Sequence, residues 1–89
     1  MEIEYDANKD AANRCKHRLP LALGGHVIAA ARERGSVIPD VRKPYGEPRY
    51  IAYGAIGGRL MVCVFTPRGE RIRVISLRKA NARERAAYG

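Results

Sequence analysis

Tryptophan is absent from this chain of 89 residues and phenylalanine occurs once, so a core must rest on Val, Ile, Leu and Ala with help from five Tyr. No run of about 18 apolar residues exists, which excludes a membrane-spanning helix. No segment sets a strongly apolar face against a basic one, which argues against a helix lying on lipid. The opening MEIEYDANKD is acidic and polar, unlike a signal peptide, so the cytoplasm is the expected location. Cysteine is scarce: Cys15 and Cys63 lie far apart and are expected as free thiols in a reducing compartment. With His17 and His26 they fit no common zinc spacing, so neither metal nor cofactor is expected. Acids are also few, nine Asp and Glu against 17 Lys and Arg, for a net charge of +8. That excess points to nucleic acid or an acidic protein as partner.

What remains suits one domain over residues 1–89. Its 46% hydrophobic and 29% charged residues describe a globular chain. A domain this small gains stability from a partner chain. MEIEY alternates as a short edge strand does. Asp6 can cap a helix over residues 7–17, whose early acids and late bases agree with its dipole. Lys9, Asn13, Lys16 and His17 share one face of it. Pro20 opens a second helix that Gly35 ends. A short strand around Ser36–Ile38 and the loop DVRKPYGEP follow. RYIAYG, RLMVCVF and ERIRVISLRK form a three-strand meander, turned at AIGG and TPRGE. Asn81 and Glu84 make a capping box for a last helix, NARERAAY.

The fold class expected is α+β: two N-terminal helices packed on an antiparallel sheet of about four strands, then the short C-terminal helix. The core is assigned to Ile51, Leu60, Val62, Val64, Ile72, Val74 and Ile75.

From Arg68 to Arg85 seven cations stand against two acids, Glu70 and Glu84. Most are arginine, whose planar fork grips two phosphate oxygens at once and stacks on bases. On a strand Arg71 and Arg73 face one side, and Ile72 and Val74 the other. Arg78 falls on the apolar side and needs a bulge, a twist or an anionic partner. A solvated face paired with Glu47, Glu70 and Glu84 is the plainer reading of these arginines. RNA cleavage through its own 2′-hydroxyl needs a base, an acid and cations, and no metal. His17 titrates in the useful range, and Tyr88 can donate a proton.

The spaced Tyr5-Asp6, Lys9, Asn13 and Lys16-His17, the run Gly58-Arg59-Leu60 to Thr66, Arg68-Gly69, Arg71 to Ser76 and Arg78-Lys79-Ala80, and Glu84-Arg85 with Tyr88 together resemble the BrnT toxins. The resemblance implies a bacterial type II toxin, a small ribonuclease with a fold related to the RelE toxins. It also implies a BrnA antitoxin of ribbon-helix-helix type, through which the pair binds operator DNA. His17, Arg78, Lys79 and Tyr88 are the catalytic candidates. Lys16, Arg49, Arg59, Arg71 and Arg73 are the RNA-binding candidates. The chain departs from the family pattern at Arg18, where Gly is usual after the KH pair, at Tyr5, and at Pro20–Gly25. Two alternatives stay open: a module that binds nucleic acid without cutting it, and a basic surface that mainly receives an acidic antitoxin segment.

Overall fold

The computed structural model describes all 89 residues. In chain order the elements are β1 (Glu2–Glu4), α1 (Ala7–His17), a 3-10 turn (Leu21–Leu23), α2 (Gly24–Arg34), β2 (Val37–Pro39), β3 (Tyr50–Ile56), β4 (Arg59–Arg68), β5 (Arg71–Lys79) and α3 (Ala82–Tyr88). No helix is long and apolar enough to cross a membrane. The α+β class is as expected, but the sheet has five strands in the order β1-β5-β4-β3-β2, and it is mixed. β1 joins β5 in parallel, setting Glu2 beside Arg71, Ile3 beside Ile72 and Glu4 beside Arg73. Alternation fixes which side chains face the same way but not strand direction, so the purely antiparallel expectation had no means of detecting this pairing.

The meander forms as its sequence suggests. Gly57 and Gly58 turn β3 into β4, both at positive φ (57° and 78°), as a two-residue hairpin loop requires. β4 runs on through Thr66, Pro67 and Arg68, so the expected TPRGE turn shrinks to Gly69 and Glu70. The second helix is also shorter than PLALGGHVIAAARER: Leu21–Leu23 winds as a 3-10 turn and α2 starts at Gly24.

Two glycines let α2 lie close on the sheet. A Cβ on Gly24 would sit 2.8 Å from both methyls of Val74, and one on Gly54 would run into the Val27 carbonyl. Close packing offsets the ~1 kcal/mol that a helical Gly costs relative to Ala.

The single core expected from sequence is two apolar layers, one on each sheet face. Between α2 and the sheet, Leu21 of the 3-10 turn and Val27 and Ile28 of α2 pack on Met61, Cys63, Phe65, Ile72, Val74 and Leu77. Burial there pushes the Cys63 thiol up to about 12, leaving it unreactive. Ile51, Tyr53, Leu60, Val62, Val64 and Ala80 form the second layer on the opposite face, with Ile75 and Tyr88 packed against it. Of the seven residues assigned to one core, only Ile72 and Val74 belong to the layer under α2. The only helix with a residue against the second layer is α3, and it has no fully buried residue.

Candidate functional site

Arg78 reaches the second face through a β-bulge. Val64 pairs with Ser76 and Phe65 with Val74, leaving Ile75 without a partner. One extra residue reverses the alternation. Ile72, Val74 and Leu77 therefore all face the helices, while Ser76 and Arg78 turn to the other side with Val62 and Val64. The bulge is one of the three resolutions that the position of Arg78 demanded. A second is present too: Arg78 Nη1 and Nη2 donate to the two Glu84 oxygens at 2.8 and 2.7 Å.

Helix α1 brings its basic end to the same region. Its anchor is Asn13, which is buried and replaces a missing strand neighbour. β1 pairs with β5 only as far as Arg73, so Leu77 has no strand on that side. The Asn13 amide donates to the Leu77 carbonyl at 2.8 Å, and its oxygen accepts the Leu77 N–H at 3.1 Å. The same amide also donates to the Leu19 carbonyl at 2.8 Å, closing the turn after the helix. That clamp sets Lys16 and His17 at one side of Ser76, in a shallow cleft also walled by Lys9, Asn13 and Ile75. Burial lowers the His17 pKa below its ordinary value, and the charges of Lys16 and Arg78 lower it further. A neutral imidazole beside two cations can accept a proton near an anionic substrate.

On the other side of Ser76 lies a second cleft, of about 290 Å³, over Ile51, Tyr53, Val62 and Val64, with Arg42, Arg78 and Glu84 at its edges. The Tyr88 ring stacks flat on Tyr53, with centroids 3.8 Å apart and planes 4° from parallel. His17, Lys16 and Arg78 thus line two adjoining clefts that share Ser76, and Tyr88 is stacked on the Tyr53 that lines one of them.

The remaining candidates lie elsewhere. Arg71 pairs with Glu2 at 3.4 Å and Arg73 with Glu4 at 3.0 Å, at the far end of β5. Seven steps separate Arg71 from Arg78, about 23 Å at ~3.3 Å per residue. The arginines of β5 therefore do not converge: Arg71 and Arg73 are paired with Glu2 and Glu4, not with Glu47, Glu70 or Glu84, and Glu84 holds Arg78. Arg49 is held by Glu47 at 3.0 Å and stacks over Tyr45 at 4.1 Å, in the loop before β3. Arg59 is exposed and opens β4 next to the hairpin turn. Lys79 stands opposite Met61, so its exposed side chain leaves on the helix-bearing side. Its carbonyl accepts a bond from Arg78 Nη1 at 3.3 Å.

Residues 5–84 match the family described as the ribonuclease toxin BrnT of type II toxin–antitoxin systems. The chain belongs to the BrnT family. No curated protein matches it. The BrnT match takes in His17, the bulge, Arg78 and Glu84, and stops short of Tyr88. It also takes in three parts of the site that sequence reasoning did not single out as functional. Ser76 joins the clefts, Glu84 holds Arg78, and Arg42 walls the second cleft. Ser76 and Glu84 lie within the motifs quoted above, and Glu84 was also marked by its place in the capping box, where it accepts the Asn81 N–H at 2.9 Å; Arg42 had no signal in the sequence.

Proposed function

We propose that this BrnT-family chain is a metal-independent endoribonuclease working at the two clefts joined by Ser76. His17 takes the proton of a 2′-hydroxyl, which attacks the adjacent phosphorus. Arg78 and Lys16 stabilise the charge that builds on the phosphate oxygens, with Lys79 adding to the local positive field. Tyr88, on the same short helix as Glu84, returns a proton to the departing 5′-oxygen. The products are a 2′,3′-cyclic phosphate and a free 5′-hydroxyl. The observation that carries this reading is that a depressed histidine and a carboxylate-oriented arginine, distant in sequence, flank one serine of β5.

Membership of a type II toxin family implies an antitoxin partner. We take it to be a ribbon-helix-helix protein of BrnA type, which neutralises the toxin in the cytoplasm and carries the pair to operator DNA. We also read the fold as related to the RelE toxins. Incubating purified protein with RNA in EDTA tests the chemistry. Fragments ending in a cyclic phosphate are expected; intact RNA, or fragments with 3′-hydroxyl ends, contradict the proposal.

A further inference from the structure

The loop between β2 and β3 is built around one carboxylate. Asp40 has no exposed side-chain surface, whereas Arg42, which it holds, is 64% exposed. The Asp40 oxygens accept Arg42 Nε and Nη2, both at 2.8 Å, the Arg42 backbone N–H at 3.3 Å and the Tyr45 hydroxyl at 3.1 Å. Closing the loop does not require this arrangement, because the Asp40 N–H already donates to the Arg49 carbonyl at 2.8 Å. A buried carboxylate is costly unless fully paired. Here its pairing fixes the direction of one exposed guanidinium.

That guanidinium stands at the edge of the second cleft. β4 and β3 supply much of its floor, between the loop on one side and β5 with Arg78 on the other. The two arginines are set alike. Arg42 turns Nε and Nη2 to Asp40 and leaves Nη1 free of any bond within the chain. Arg78 turns its two terminal nitrogens to Glu84 and leaves Nε free. A fork held on one edge loses little further freedom when its other edge meets a phosphate.

We propose that Arg42 is a second substrate-binding arginine, and that the cleft between it and Arg78 takes one unpaired nucleotide adjoining the cleaved phosphate, with little discrimination among bases. The proposal rests on the ribonuclease reading above and adds the neighbouring subsite. The weak discrimination follows from the floor. Ile51, Val62 and Val64 offer no hydrogen bond to a base edge, and the backbone of β4 is engaged in pairing on both sides. The hydroxyls of Ser76 and Tyr53 can each donate or accept, so they tolerate any base. An apolar pocket separates similar ligands poorly.

The test uses the whole chain and two sets of short single-stranded RNAs that vary one base at a time around a cut site. One set is cleavable; the other carries a 2′-deoxy nucleotide at the cut. Arg42→Ala and Arg42→Gln are compared with wild type, the glutamine retaining one donor for Asp40. Both variants are expected to raise KM and weaken binding of the uncleavable RNA by about 10-fold, with kcat within about 3-fold of wild type. No one base should be preferred by more than about 10-fold. Unchanged KM and binding in a variant that unfolds at the wild-type temperature overturns the proposal, as does a strict base requirement. A wild type that binds the uncleavable RNA but cuts nothing defeats the ribonuclease reading alone, and the Arg42 variants still decide the subsite by binding.

Discussion

Arg78 lays both terminal nitrogens of its guanidinium on Glu84, and Glu84 also accepts the Asn81 N–H that starts α3. One carboxylate therefore fixes the Arg78 guanidinium and the helix that packs beside it. The Arg78 hydrogen bonds lower the Glu84 pKa from 4.5 to about 2.

A depressed carboxyl stabilises the fold above its unfolded pKa and loses that contribution as pH falls through its folded value. Stability is thus expected to drop between about pH 4.5 and pH 2, with Asp40, depressed by Arg42, acting in the same direction. Glu84→Gln keeps a capping-box residue but removes the charge. Denaturant unfolding at several pH values should show a shallower acid loss in this variant. Parallel curves for variant and wild type would show that the pair carries no such linkage.

His17 should set the acid limb of the cleavage rate. Its pKa is lowered by burial, then by Lys16 and Arg78, so the limb should have its midpoint below 6.5. Lys16→Met removes one repelling charge and should move that midpoint up, whatever it does to the maximal rate. A midpoint that stays in place, or an acid limb that persists in His17→Ala, assigns the titration to another group.

Asn13→Ala should cost about 2 kcal/mol, because it strips both partners from the Leu77 backbone group and leaves the Leu19 carbonyl unmet. Cleavage should fall as well, since the clamp positions the end of α1. The check is thermal unfolding beside activity measured well below the midpoint. Full activity in a destabilised Asn13→Ala protein would separate the clamp from the site.

Arg18 follows α1 in a left-handed conformation, with φ of 61°, which favours glycine. Arg18→Gly should therefore stabilise the fold by about 1 kcal/mol. An unchanged or lower unfolding temperature would show that the Arg18 side chain compensates for its backbone.

The elements that depend on neighbours in sequence were legible in it. The Asp6 cap, the Asn81–Glu84 box, the glycine turns and the three long strands each announce themselves within a few residues. The features that shape the site depend on register between strands. Ile75 looks like any other strand residue until Val64 and Phe65 are set opposite it. The partners of Arg71 and Arg73 stay hidden until β1 arrives in parallel with Glu2 and Glu4. DVRKPYGEP shows only turn formers and mixed charge, so the burial of Asp40 and the posture of Arg42 were invisible there. The misplaced alternation of Arg78 was the one long-range feature with a local trace.

Single-turnover cleavage of one RNA by Arg78→Ala and by Arg71→Ala decides whether chemistry belongs to the bulged end of β5. Arg78→Ala is expected to cut at least about 100-fold more slowly than wild type, and Arg71→Ala within about 3-fold of it. Equal losses from the two substitutions, or a full rate without the Arg78 guanidinium, would contradict a site built on the bulge.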